Sequence, residues 1–357
     1  MIEEVMQSSG GWPILGHGKA VEVLSRSLQS GNISHAYLFT GPTGVGKHTL
    51  AIEFAMALNC EATEPPPGTF PAEPCGLCRS CGQISRGAHP DVAEIDLQVQ
   101  AAALNDGGKK AATPKEIRID LVREMQSSIG LQPYSGRRRV YIIGDADRLN
   151  EEASNCLLKT LEEPPPHSVL ILLAPSETSV LPTISSRCLH VPLRPLTRST
   201  VEGALRSHWG VDEEEASLLA ALSGGRPGRA IGLARERDIL ARRKLSLERA
   251  ALLSGASLNE RITVAAELAK VFTDARAELY ELLDTWETWW RDILVVSASA
   301  PDLVTNIDQS STLNAAAKRT SVQRAARALD LIEETRTQLQ ENVNPRLALE
   351  ALTIGMP

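Results

Sequence analysis

The chain has 357 residues, 43% of them hydrophobic, and its 44 acidic side chains outnumber 37 basic ones for a net charge of −7. That length accommodates two or three domains of roughly 100–200 residues, and the apolar content excludes wholesale disorder. No run approaches the ~18 apolar residues of a membrane span, and the acidic balance excludes DNA binding over the whole surface, so any DNA contact is local or shared with partners.

The first residues, MIEEVMQSSGGWPILG, lack a signal-peptide core, which predicts a soluble cytoplasmic protein. A helix is expected over about 17–30, then a buried strand, Ala36-Tyr37-Leu38-Phe39-Thr40, that runs into a glycine loop. Thr49 to Leu58 reads as a largely apolar helix, as expected beside a parallel sheet. Residues 61–74 carry five prolines and predict a loop, and a cysteine cluster follows. Val92 to Ile95 reads as a second strand. The low-complexity stretch 98–115 reads as a mobile surface insertion. Ile117 to Ile129 has helical spacing, Val140 to Ile143 is a third strand, 150–162 a helix, Val169 to Leu173 a fourth strand, and Val191 ends a short fifth.

Strands alternating with helices predict a parallel α/β sheet. The strand signal stops after about residue 196. Residues 198–240 read as short helices broken by a Gly-Gly-Arg-Pro-Gly stretch at 224–228, and 242–357 as longer ones. Asn344-Pro345 is a helix start, with Asn as N-cap and Pro at the first position. Trp286, Trp289 and Trp290 at helical spacing predict core packing or a subunit interface.

The glycine loop is Gly41-Pro42-Thr43-Gly44-Val45-Gly46-Lys47-His48. It follows the phosphate-loop pattern G-x-x-x-x-G-K up to the last position, where a Ser or Thr hydroxyl would hold Mg²⁺ and His48 stands instead. Glycines let backbone N–H groups crowd around phosphate oxygens, the helix N-terminus favours the negative charge, and Lys47 adds a point charge. Thr49 cannot replace the hydroxyl, because one residue further along a helix points ~100° away. A nucleotide-hydrolysing fold also places Asp directly after an apolar strand. Here that position is Gly144, followed by Asp145, Ala146 and Asp147. Asp145 falls where a catalytic Glu is expected, and plain strand-end or N-cap use of Asp145 and Asp147 is the open alternative. The loop thus looks built to hold a nucleotide and poorly built to hydrolyse it.

Cys75-x-x-Cys78-x-x-Cys81 places three thiolates on one knuckle, and Cys60 at the end of the preceding helix can close a tetrahedron, the donor set of structural Zn²⁺. His89 is a substitute ligand by type, although a loop position beside Pro90 is the plainer reading. In Leu181-Pro182-Thr183-Ile184-Ser185-Ser186-Arg187-Cys188, Arg187 is either a surface or salt-bridging residue or an arginine donated to a neighbour's γ-phosphate. Arg137-Arg138-Arg139 reads as a solvated turn ahead of a strand.

Together these segments, with Ser34-His35-Ala36-Tyr37-Leu38-Phe39, Asn155-Cys156-Leu157-Leu158-Lys159-Thr160-Leu161-Glu162-Glu163-Pro164-Pro165 and Asn344-Pro345-Arg346-Leu347-Ala348-Leu349-Glu350, resemble the bacterial DNA polymerase III clamp loader subunits of the AAA+ class. Within that family the chain resembles the non-hydrolysing delta-prime type more than the ATPase gamma/tau motors. The stretch Gly144-Asp145-Ala146-Asp147-Arg148-Leu149 looks delta-prime-like, and Ala174-Pro175-Ser176 stands where a polar sensor is expected. The resemblance implies an AAA+ domain over 1–196 with a zinc insertion over 60–81, a helical lid over 197–241 and a helical collar over 242–357. It implies that Arg187 acts as a trans arginine finger. ATP or ADP would be held without efficient hydrolysis by Gly41, Pro42, Thr43, Gly44, Val45, Gly46, Lys47, His48 and Thr49, with Asp145 and with Arg229 in the phosphate-sensing position of the lid. The implied partners are the gamma/tau motor and delta subunits in a hetero-pentameric ring, the sliding clamp, and primer-template DNA through the complex. The ring would be part of the DNA polymerase III holoenzyme, a DNA-directed DNA polymerase, and the chain's own ATPase would be weak or absent. A longer motor subunit is expected to continue past the collar, where this sequence stops.

Overall fold

Strands β1 (Ala36–Thr40), β2 (Val92–Ile95), β3 (Arg139–Ile143), β4 (Ser168–Ala174) and β5 (Leu189–Pro192) form one parallel sheet in the order β2-β3-β4-β1-β5. The computed structural model describes residues 11–62, 65–105, 114–253, 255–300, 303–341 and 343–357. The chain divides into two compact units. One holds the residues up to Gly210 with Gly225–Arg229, the other Val211–Gly224 with Ala230–Pro357.

In the first unit the helices are α1 (Gly18–Ser30), α2 (Lys47–Asn59), α3 (Arg79–Ser85), α4 (Leu97–Asn105), α5 (Ile119–Ile129), α6 (Glu151–Glu162), α7 (Pro182–Ser185) and α8 (Arg198–Trp209). Side chains alternate across a strand, so Tyr37 and Phe39 of β1 pack with α1, α2 and α3 on one face of the sheet. Ala36 and Leu38 pack with α5, α6 and α7 on the other. Covering both faces is what makes β1 and β4 continuous apolar runs. Register places Thr40 beside Ala174, so the loop after β1 emerges next to the end of β4.

Two local expectations need correction. Residues 97–105 are helix α4, where an insertion was expected from 98 onward; residues 106–113 of that stretch lie outside the described residues. The alanine-rich run favours helix, and its first turn is capped from two sides. Asp96 accepts from the Val99 N–H at 2.7 Å and Asp145 from the Leu97 N–H at 3.1 Å. The basic run is also solvated only in part: Arg137 is exposed in the bend before β3, whereas Arg138 and Arg139 turn inward. Arg139 pairs with fully buried Asp91, and the Arg138 guanidinium lies over the Phe70 ring, 5.4 Å from its centroid. Asp91 earns that burial by accepting from the backbone N–H groups of Tyr134, Ser135 and Gly136, which hold its carboxyl below the usual carboxylate range against the opposing effect of burial.

The second unit is helical: α9 (Glu213–Ser223), α10 (Pro227–Arg235, its first turn belonging to the first unit), α11 (Arg237–Leu253), α12 (Leu258–Asp274), α13 (Arg276–Ser297), α14 (Ser310–Arg319), α15 (Val322–Gln340) and α16 (Pro345–Gly355). Trp286, Trp289 and Trp290 are buried in its core with Leu268, Leu283, Ile332 and Leu352. The Trp286 indole N–H donates to the Ser246 carbonyl at 2.9 Å. Asn344 caps α16 by accepting from the N–H groups of Arg346 and Leu347, as Asn-Pro predicts.

Candidate functional site

The loop between β1 and α2 has the conformation a phosphate cradle requires. Gly41 and Gly44 have φ of 146° and 81°, values side-chain-bearing residues rarely adopt. A Cβ on Gly41 would collide with the Leu193 carbonyl oxygen, and one on Gly44 would lie 3.1 Å from the Arg229 nitrogen. The loop is tied down on all sides. Gly41 N–H donates to the Ala174 carbonyl at 3.2 Å, and Gly228 N–H to the Gly44 carbonyl at 2.8 Å. The His17 ring donates through Nε2 to the Val45 carbonyl at 3.0 Å. The Lys47 ammonium donates to the carbonyls of Gly41 and Pro42. Burial pushes the Lys47 pKa down, with Asp147 and Asp145 opposing. The cradle therefore suits a polyphosphate, with Gly41 to Lys47 as its wall and the 228–229 backbone against it. Thr43 and Thr49 are exposed.

The groups that would organise magnesium do not fit it. His48 Nε2 donates to Glu94 Oε2 of β2 at 2.7 Å, so an imidazole–carboxylate pair stands where the metal-binding hydroxyl belongs. The hydrogen bond to Glu94 raises the His48 pKa against the effect of burial, and it lowers that of Glu94. At the end of β3, a Cβ on Gly144 would lie 3.0 Å from the Asp96 Cβ, a tight contact, so a side chain there would have to displace Asp96. Asp145 is occupied in capping Leu97, and Asp147 pairs with Arg148 at 3.4 Å. At the end of β4, buried Ala174 offers no polar side chain. Glu94 and Asp96 were missed from sequence because a partner 46 residues away leaves no local pattern; the one signal was a charged residue inside a strand.

The four cysteines converge. The Sγ atoms of Cys60, Cys75, Cys78 and Cys81 all lie within 4.8 Å of one another, so the four form one group that could hold a metal ion. Cys60 is the C-cap of α2 and Cys78 the N-cap of α3, so two helix ends bring the sulfurs together. Backbone N–H groups of Leu77 and Cys78 donate to Cys75 Sγ, and that of Cys81 to Cys78 Sγ, at 3.2–3.4 Å. Burial alone would push the Cys78 thiol up, but such N–H donors outweigh it and bring its pKa down to about 7. Four convergent sulfurs fit a tetrahedral structural Zn²⁺ and leave no open position for substrate. His89 is not part of the set: it is buried, and its Nδ1 accepts from the Asp91 N–H at 3.1 Å.

Arg187 follows α7, a short turn started by Pro182. Its guanidinium donates to Glu162 Oε1 at 2.8 Å and to the Thr183 carbonyl at 3.0 Å. The side chains are 37% and 53% exposed, and ion pairs so exposed contribute about 0–1 kcal/mol, so Arg187 can leave Glu162 at little cost. Beside it, Ser185 donates to Glu177 at 3.1 Å, and His190 bonds both Ser185 and Glu177, fixing the turn at its base. Arg187 and the cysteine cluster are thus separate from the loop, whereas Asp145 and Arg229 do reach the loop region.

A parallel sheet in this strand order, with a phosphate loop after the interior strand β1 and a helical unit following, defines a P-loop α/β domain of the AAA+ class. The family profile described as DNA polymerase III, delta subunit, matches residues 16–197, about half of the chain, and the profile of the C-terminal part of that subunit matches residues 245–355. The chain belongs to this family. It is 27% identical to DNA polymerase III subunit tau of Bacillus subtilis over 361 residues, covering 96% of this chain and 60% of that protein. It is 36% identical to subunit tau of Escherichia coli over 184 residues, covering 51% of this chain and 25% of that protein. The chain thus spans less than two thirds of the length of these relatives. Among solved structures, a DNA polymerase III gamma subunit-related protein of Thermotoga maritima aligns over 94% of this chain and 98% of its own, with 16% identity and a TM-score of 0.38. No helix among the described residues is long and apolar enough to cross a membrane.

Proposed function

We propose that the chain is a delta-prime-type subunit of the DNA polymerase III clamp loader. It keeps the phosphate loop as a nucleotide-holding site, does not hydrolyse efficiently, and donates Arg187 to the ATP of a neighbouring motor subunit. In this reading residues 1–196 form the AAA+ domain, 197–241 the lid and 242–357 the collar of a hetero-pentameric ring. That ring contains the gamma/tau motor and delta subunits and loads the sliding clamp on primer-template DNA. The carrying observation is the double mismatch on the magnesium side. His48 is tied to Glu94 where a hydroxyl is needed, and Gly144 is walled by Asp96 where a carboxylate is needed. Either could be compensated singly; together they leave nothing to assemble the charge that phosphoryl transfer requires. Arg187 supports the outward half of the reading, because a half-exposed guanidinium held by a weak pair is free to serve another chain.

The names of the tau relatives favour a second reading, an active motor. Reconstitution separates the two. Arg187→Ala in a loader assembled with the motor and delta subunits should lower ATP turnover by roughly 10³-fold or more, the scale of arginine-finger loss, while ring assembly by gel filtration is unchanged. Unchanged turnover in the assembled ring would remove the arginine-finger reading.

A further inference from the structure

We propose that the phosphate loop binds a nucleoside di- or triphosphate without a divalent cation, with His48, gripped by Glu94, replacing the metal as the second positive group beside Lys47. The inference deepens the reading above and rests on it only in taking the loop as a nucleotide site.

The argument starts from what the imidazole has left to offer. Glu94 takes Nε2, and among the described residues Nδ1 has no hydrogen-bond partner. A neutral imidazole donating through Nε2 presents Nδ1 as an acceptor, which phosphate would repel; the imidazolium donates from both nitrogens. The hydrogen bond to Glu94 raises the His48 pKa and so favours the imidazolium, the form in which Nδ1 is a donor. His48 is the second residue of α2, next to Lys47 and at the helix end where the dipole favours anions, and its side chain is 58% exposed and open to a ligand. An ion pair so exposed contributes only about 0–1 kcal/mol to folding, so stability does not explain it.

The charged groups around His48 are consistent with this. From β2 and its end come Glu94 and Asp96, from the turn after β3 Asp145 and Asp147, from the loop Lys47, and from the start of α1 His17. Of the four carboxylates, Glu94 is spent on His48, Asp96 on Val99, Asp145 on Leu97 and Asp147 on Arg148. Two of the four, Glu94 and Asp147, have a positive partner, while Asp96 and Asp145 keep their charge as caps of α4. Among the described residues, the only group of three or more His, Cys, Asp or Glu side chains placed to hold an ion is the cysteine cluster.

The test is binding of N-methylanthraniloyl ADP and ATP to the full chain, by fluorescence, in EDTA and in excess Mg²⁺. The two dissociation constants should agree within about threefold. His48→Ala should weaken binding in EDTA by roughly tenfold or more, the loss expected for one hydrogen bond to a charged group. Glu94→Gln should weaken it in the same direction by less. Unchanged circular dichroism and zinc content of both variants keep misfolding apart from lost binding. Mg²⁺ tightening the wild-type complex by more than about tenfold would overturn the proposal, because the acidic groups would then be gathering a metal. So would the absence of binding in either buffer, or a His48→Ala chain that binds as well as wild type. These failures leave the arginine-finger reading standing, and that reading fails on its own if Arg187→Ala has no effect in the assembled ring.

Discussion

Helix α2 has a ligand-shaped site at each end, and the two ends differ in completeness. At its C-terminus Cys60 joins three knuckle cysteines, and every donor a structural metal needs is present. At its N-terminus the glycine cradle and Lys47 are intact, but both magnesium-side groups are replaced. The same helix carries a full donor set and a partial one.

The comparison breaks most visibly at the complete end. Structural zinc contributes on the order of 10 kcal/mol of apparent folding free energy. Cys81→Ser should therefore lose the metal and melt the first unit, while the tryptophan core of the second keeps its near-ultraviolet signal. Elemental analysis should give one zinc per wild-type chain; a metal-free chain with unchanged melting would end the contrast.

The next effect concerns why that end is rigid. The Asn59 side chain accepts from the N–H groups of Arg137 and Arg138, and Asp91 from three more and from Arg139. Asp91→Ala strands these donors and a buried guanidinium, and should cost about 3–5 kcal/mol in denaturant unfolding. A loss under about 1 kcal/mol would show the carboxylate to be dispensable.

The sequence shows the strands well and the pairings poorly, for one reason. β1 is read residue for residue because a buried apolar run is a local signal, and β2 is read from the short run Val92 to Ile95 although only Ile95 in it is buried. The cysteine spacing and the Asn344-Pro345 start are equally local. Helix α4 escapes although Asp96 is a local cap, because its other cap, Asp145, comes from tertiary placement. Arg139 reads as solvated because Asp91 lies 48 residues away, and Glu94 and Glu162 are invisible as partners of His48 and Arg187 for the same reason. The altered positions of the nucleotide site, His48 and Gly144, were legible; what replaced the missing groups was not.

Two smaller effects sharpen the incomplete end and the outward turn. Glu162→Gln should change stability by less than about 1 kcal/mol, yet leave Arg187 detectably more mobile by guanidinium NMR; an unchanged Arg187 signal would mean that Thr183 alone holds it. The smallest effect is the titration of His48. Its pKa is raised, so its pair contributes fully below the ordinary 6.5 and is lost as pH rises through the folded value. Glu94 is depressed, so its share is present above the ordinary 4.5 and is lost as pH falls through its own folded value. The pair is thus strongest between those two values. The His48 imidazole should titrate above the ordinary histidine range by NMR and fall toward it in Glu94→Gln; no difference between the two would dissolve the pair.

The most direct test of the incomplete end is steady-state ATP hydrolysis by the purified chain in Mg²⁺, with Lys47→Ala as the blank. The account predicts that wild type and Lys47→Ala are indistinguishable at background. Magnesium-dependent turnover that disappears in Lys47→Ala would contradict it, and would make the N-terminal end of α2 a working ATPase site despite His48 and Gly144.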